Sequence, residues 1–240
     1  MDIEVLGGFR ALENGVPVVP QAEPARQVFA VLAAHADQMV PTDVLAAELS
    51  AYGQDGEHAR SVLLTSVRRI RELLAGAADS AGRRTPEAVL VSLPGGFLLD
   101  TDGGRSDQGD FARETGAGYR AMARGDFATA AHRLRGALRL WRGPAFEGIE
   151  AGPRLAARIA DLEATRLSAL KQWVEAELAL GRHGELRTEL RAVTTGKSLE
   201  TYRTLADALG SDLGSSPGDT TRALRRALLP GPPSTLPLAA

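Results

Sequence analysis

Glu57 to Leu74 read EHARSVLLTSVRRIRELL, and the fold turns on how this stretch is read. It carries four arginines and no aspartate, inside a first hundred residues where acidic side chains outnumber basic ones. Wound as a helix at about 100° per residue, Ala59, Val62, Leu63, Val67, Ile70 and Leu74 fall on one face that can pack into a core. Arg60, Ser61, Leu64, Thr65, Arg68, Arg69, Arg71 and Glu72 fall away from its centre. Arginines beside small hydroxyls suit a helix lying in a DNA major groove, where they reach guanine edges, phosphates and other base groups. A solvated arginine-rich face has the same composition, so the helix alone leaves both readings open.

The flanking sequence places the helix. Ile3, Val5 and Leu6 begin an apolar run, and Asn14-Gly15 between ALE and VPVV predicts a two-residue hairpin. Pro17 and Pro20 mark an edge strand. Pro24 suits the first turn of a helix whose apolar stripe is Val28, Phe29, Leu32 and Ala33. Thr42 is placed to N-cap a second helix carrying Val44, Leu45, Ala47 and Leu49. After the arginine helix, VLVSLPGGFLLD predicts a β-hairpin turning at Pro94, Gly95 and Gly96. Strands, three helices and a hairpin make the order of a winged helix-turn-helix, with the third helix in the groove and the hairpin at the backbone. Arg26, near the start of the first helix, is placed to meet a flanking phosphate.

The fold class expected is mainly α with a small β part: an N-terminal winged helix-turn-helix, then an all-α tetratricopeptide-like repeat domain. Residues 1–102 form the first domain and the polar, glycine-rich residues 103–110 a linker. From Phe111 the pattern is helical. YRAMARGDFATAAHRLRGALRLWRG and WVEAELALGRHGELRTELRAVTTGK each read as helix, glycine turn (Gly125, Gly181) and helix, with Ala130, Leu134 and Ala137 echoed by Leu186, Leu190 and Val193. RLAARIADLEATRLSALKQWVEAELAL is one long amphipathic helix or two joined. The helical domain spans 111–229, shortened in its last repeat, and 230–240 is a proline-rich tail read as disordered.

Composition narrows the function. The 240 residues carry a net charge of -2, so any nucleic-acid contact must come from a local patch. The chain has no cysteine, which removes disulfides, thiolate metal sites and cysteine nucleophiles. His35, His58, His132 and His183 are dispersed, and no metal-ligand spacing joins them. Thr195-Gly196-Lys197-Ser198 ends like a phosphate loop, but Arg191 stands where a glycine is needed and a helix precedes it. The expectation is a non-enzyme with no cofactor and no metal. MDIEVLGGFR lacks a signal-peptide pattern and no apolar run is long enough to span a membrane, so a cytoplasmic protein with no membrane partner is expected.

IEVLGGF, PARQVFAVLAAHADQMVPTDVLAAEL, TSVRRIRELL and VSLPGGFLLD resemble the OmpR-type winged-helix domain of Streptomyces antibiotic regulatory proteins. GDFATAAHRLRGALRLWRGPAFEGI, RLAARIADLEATRLSALKQWVEAELALGRH and LGSSPGDTTRALRRALL are similar to their bacterial transcriptional activator domain. The resemblance implies a pathway-specific activator of secondary-metabolite (antibiotic) genes. It implies direct-repeat double-stranded promoter DNA, RNA polymerase holoenzyme and a second protomer on an adjacent repeat as partners. The DNA-binding residues it and the outer face suggest are Arg26, Arg60, Ser61, Thr65, Arg68, Arg69, Arg71, Gly95 and Gly96. Leu64 and Ser66 depart from the family pattern, which usually has a glutamine and an aromatic there, and the wing lacks the basic residue often found before its turn. The acidic first domain, the bare wing and the shortened repeats support the alternative of a tetratricopeptide-like interaction module whose winged helix has weak or no specific DNA binding.

Overall fold

The computed structural model describes residues 1–49, 56–77 and 84–182. Strand β1 (Asp2–Glu4) pairs antiparallel with β2 (Arg10–Glu13), which pairs with the edge strand β3 (Val16–Pro17). Asn14 and Gly15 turn β2 into β3 at φ of 51° and 79°, the positive values that favour this dipeptide in hairpins. Helix α1 (Glu23–Ala34) takes Pro24 in its first turn and buries Val28, Phe29 and Leu32 completely. Strand β4 (Met39–Pro41) leads into α2 (Thr42–Glu48), and α3 (Gly56–Gly76) is the arginine helix. A short α4 (Pro86–Val89) precedes the wing strands β5 (Leu90–Leu93) and β6 (Gly96–Leu99). Three helices and a wing thus stand in the expected order.

Two local details differ from the sequence reading. The wing is a three-stranded sheet in the order β4-β6-β5, with Val40 opposite Phe97. Thr42 is the first helical residue of α2, and Pro41 holds the cap position with no side-chain bond. The two meet at one bond: the Thr42 N–H, an orphan donor of the first helical turn, donates to the Gly95 carbonyl of the wing turn at 2.9 Å. Gly96 is required where the strands meet, because a Cβ there would overlap the Val40 carbonyl oxygen.

The second half begins with α5 (Asp107–Ala123), capped by Ser106, whose Oγ accepts from the Gly109 N–H at 3.2 Å. Asp107 to Asp110, read from sequence as part of a linker, lie in that helix's first turn. Gly125, at φ 72°, turns the chain into α6 (Phe127–Leu138), giving the expected helix-turn-helix repeat. Gly118 lets the two helices approach, since a Cβ there would sit 2.6 Å from Leu134 Cγ. Asp126 caps α6. Bonds from the Thr129 backbone N–H, first, and then its side chain hold the Asp126 carboxyl below the usual carboxylate range. Its capping contribution is therefore complete above that range and is lost as pH falls through the lowered value. Helix α7 (Pro153–Ala179) is a single helix of 27 residues. Leu186, Leu190, Val193, the Thr195–Ser198 segment, His183, the shortened repeat and the proline-rich tail lie outside the described residues.

One continuous apolar core runs through both halves. Phe9 joins them, its ring centroid 5.7 Å from Phe29 in α1 and 5.7 Å from Phe146 in the loop before α7. The chain after β1 is stitched to that loop by its backbone: Arg142 N–H donates to Leu6 O (2.8 Å), Phe146 N–H to Val5 O (2.9 Å) and Glu147 N–H to Gly7 O (2.9 Å). Gly7 permits this, because a Cβ would meet Arg142 Cβ at 3.1 Å. The Val5 N–H donates to Asp107 Oδ1 at 2.9 Å and the Leu6 N–H to Oδ2 at 3.1 Å, while Arg142 Nη2 donates to Oδ2 at 2.7 Å. At the other end, the N-cap of α7 is Gly152, which has no side chain to offer. Glu48 of α2 supplies the cap from across the junction, accepting from the Arg154 N–H at 2.8 Å and the Leu155 N–H at 3.2 Å. Gln27 of α1 adds a bond from Nε2 to the Glu150 carbonyl at 2.6 Å.

These bonds generate a stability prediction. Asp107→Ala leaves two buried backbone donors without their acceptor and the Arg142 guanidinium with Glu4 alone, at a cost of about 3 kcal/mol. Urea unfolding followed by circular dichroism should show that loss together with a broadened transition, as the two halves begin to unfold separately. An unshifted single transition would mean that Asp107 does not couple them.

Candidate nucleic-acid interface

Helix α3 is held from one side. Ala59, Leu63, Val67, Ile70 and Leu74 are buried, as the periodicity predicts, and Val62 is partly buried. Ser66 joins this face, its Oγ donating to the Val62 carbonyl at 2.8 Å, so the small residue is absorbed by the helix itself. α1 and α2 both pack on this buried face. The outer face exposes Arg60, Ser61, Leu64, Thr65, Arg68 and Arg69, bounded by Glu57, His58 and Glu72.

The exposed face has two flanks. Arg60, Leu64, Arg68 and Arg71, spaced 4, 4 and 3, run along the flank toward the wing. Ser61, Thr65 and Arg69 run along the other, where with Pro24 and Ala25 of α1 they line a hollow of about 170 Å³. Thr65 Oγ1 donates to the Ser61 carbonyl at 3.0 Å, which leaves the hydroxyl's acceptor positions open outward. Arg68 is 80% exposed and its Nε meets Glu72 Oε1 at 3.1 Å, a solvated pair that a competing phosphate can replace at little cost. Among the described residues, neither Arg60 nor Arg69 has an ion-pair partner.

The remaining sequence-predicted residues fall elsewhere. Arg71 turns to the wing: its Nη2 donates to the Leu90 carbonyl at 2.7 Å and to Ser92 Oγ at 2.9 Å, and its Nε to the same carbonyl at 3.3 Å. It clamps β5 to α3. Gly95 is exposed at the wing tip with φ 85°, and Gly96 is buried against β4. Arg26 is not brought to this face. Its guanidinium pairs with Glu23 and lines a cleft of about 700 Å³ between the N-terminal sheet and the loop before α7. Asp107 and Glu48, which orient the whole face, went unnamed from sequence: their partners are backbone N–H groups about a hundred residues away, with no local signature.

The regulatory protein DnrI of Streptomyces peucetius is 34% identical over 255 residues, covering 97% of this chain and 93% of that protein. The chain belongs to the Streptomyces antibiotic regulatory protein family of transcriptional activators. The family model for the bacterial transcriptional activator domain matches residues 106–197 of this family member. Its α5 begins at Asp107, one residue after that match starts. The transcriptional regulator RedD of Streptomyces coelicolor is 29% identical over 165 residues, covering 58% of this chain and 47% of that protein. The solved structure of Mycobacterium tuberculosis EmbR in complex with a low affinity phosphopeptide superposes with a TM-score of 0.69 at 28% identity. That match covers 95% of this regulator and 64% of the EmbR chain, so this regulator spans under two thirds of it. The winged helix followed by a helical domain is common to both. No described helix is long and apolar enough to cross a membrane.

The Arg71 clamp predicts that Arg71→Ala frees the wing at a cost of roughly 1–2 kcal/mol, the lower part of the range for a charged donor because the site is half exposed. Hydrogen exchange across residues 90–99 should quicken while the α3 amides stay protected. Unchanged exchange in the wing would show that β5 is held by its strand pairing alone.

Proposed function

We propose that this regulator binds double-stranded promoter DNA with α3 in the major groove and the β5–β6 wing along the adjacent backbone. Arg60, Arg68 and Arg69 contact phosphates or guanine edges, and Ser61 and Thr65 read bases between them. The observation that carries this reading is the outer face of α3, where three solvent-facing arginines flank two small hydroxyl residues on a helix fixed from behind by α1 and α2. Gly95 and Gly96 serve the wing's shape, and Arg71 its attachment. The helical half then engages RNA polymerase holoenzyme, a second protomer occupies an adjacent direct repeat, and the genes under control are those of a secondary-metabolite pathway, as the family and the names of its relatives suggest.

One observation favours a weaker reading, in which the winged helix binds DNA poorly and the helical half acts as an interaction module. The wing tip is Ser92, Leu93, Pro94 and Gly95, with no cation, and the nearby Arg71 is already engaged. Salt dependence separates the two. Three arginine–phosphate contacts per protomer give a slope of log K against log salt of about −3, and each arginine removed lowers its magnitude by about 1.

Filter binding or fluorescence anisotropy with promoter fragments should therefore show Arg60→Ala and Arg69→Ala each reducing the slope by about one. Thr65→Ala should relax base preference with the slope intact, as should be visible in selection from randomised duplexes. Arg26→Ala should leave the slope unchanged, because its guanidinium is tied to Glu23 on the cleft side. Equal affinity for promoter and random duplex would sink the activator reading in favour of the interaction module.

A further inference from the structure

Leu64 is 62% exposed, more than any other large hydrophobic side chain among the described residues. Among the described residues nothing covers it, and its neighbours on the outer face are not apolar. Arg60 and Arg68 stand one turn before and one turn after it on the same flank, and Thr65 and Ser61 lie beside it. Leu73, the other exposed leucine of α3, is nine residues on, which places it on the opposite side of the helix. Leu64 is therefore a single apolar group ringed by cations and hydroxyls. That is a poor nucleus for a protein–protein contact, whose centre is a cluster of large apolar side chains depleted of charge.

The occupant that fits such an arrangement is a polyanion presenting one small apolar feature. In the major groove the one apolar group on a base edge is the C5-methyl of thymine. We infer that Leu64 is a specificity-determining residue that packs against a thymine methyl, while Arg60 and Arg68 hold its ridge in the groove through flanking phosphates. This inference rests on the DNA-binding function proposed above and adds to it a reading at one base pair. The selection has two sides. Burying a methyl against the leucine favours thymine. Covering the edge of a G·C pair with leucine strips its donors and acceptors of water and returns no hydrogen bond, which disfavours that pair.

The test uses the full chain on the duplex it protects in footprinting, with each protected thymine replaced in turn by uracil, which lacks only the methyl. The result expected is one thymine per repeat at which uracil weakens binding by about three- to five-fold, the worth of one buried methyl group. Leu64→Ala should weaken binding to the thymine duplex by a similar factor and remove the difference between thymine and uracil at that position alone. Thr65→Ala controls for the threonine methyl and should leave the Leu64 position sensitive. Leu64→Gln should move the preference at that position toward adenine. Because Leu64 is exposed, these variants should keep the parent's circular dichroism spectrum and melting temperature. A specific complex indifferent to every uracil, or one whose sensitivity survives Leu64→Ala, overturns the assignment and leaves DNA binding intact. A Leu64→Ala variant that binds DNA as the parent does but fails to activate transcription with polymerase present also overturns it, and assigns Leu64 to a protein contact. Absence of any specific complex overturns the proposed function together with this inference.

Discussion

The buried carboxylate of Asp107 is where the two halves become one body. It accepts from the backbone of Val5 and Leu6, on the chain leaving the first strand, and from Arg142, on the loop before the last described helix. A carboxylate so placed has its negative charge matched by three donors, and moving it would break all three bonds. Around it, the carbonyls of Val5, Leu6 and Gly7 are taken by Phe146, Arg142 and Glu147. The N-terminal strand region thus bonds on one side to its own sheet and on the other to the helical domain. Phe9 seals the seam with an aromatic contact in each direction.

Glu48 does for the opposite end of the junction what Asp107 does for this one. It closes the last turn of α2 and at the same time supplies the N-terminal acceptor that Gly152 cannot give α7. Since α2 packs directly on α3, the orientation of the arginine face is set by the helical domain as well as by the winged helix. Small relative motions of the halves would have to break charged, buried hydrogen bonds before they could proceed, so stiffness across the junction follows from the chemistry.

Much of this fold could be read from the chain because its signals are local. Asn14-Gly15 and Pro94-Gly95 force turns by backbone sterics, Pro24 opens a helix, and the 3.6-residue period of Leu63, Val67, Ile70 and Leu74 marks a buried face. The same period identified which arginines face outward, and Arg60, Arg68 and Arg69 lie where it placed them. What escaped was decided at long range. Arg71 has the same helical phase as its neighbours, and only the wing's position shows that it is spent on Leu90 and Ser92. Arg26 looked like a phosphate ligand by its place at a helix start, yet it lines the cleft that distant loop residues close, where its i,i+3 partner Glu23 also holds it. Strand β4 is three residues long and became visible through its partner β6. Residues 103–110 have the composition of a spacer, while Ser106 and Asp107 among them make some of the most consequential bonds in the protein.

That last contrast bears on what counts as a module. A recombination event, or a designed chimera, that cut this gene between residues 102 and 107 would follow the change in composition and sever the wrong bonds. The severed winged helix would keep three backbone carbonyls and Phe9 facing a surface that had been taken away. The severed helical domain would lose the acceptor that starts α7. The structural unit is instead the pair. Side chains can be exchanged freely only on α3's outer face, where, among the described residues, none holds the second domain. Change on the outer face and preservation of the junction are thereby confined to different residues, so the outer face can vary while the scaffold beneath it stays constant.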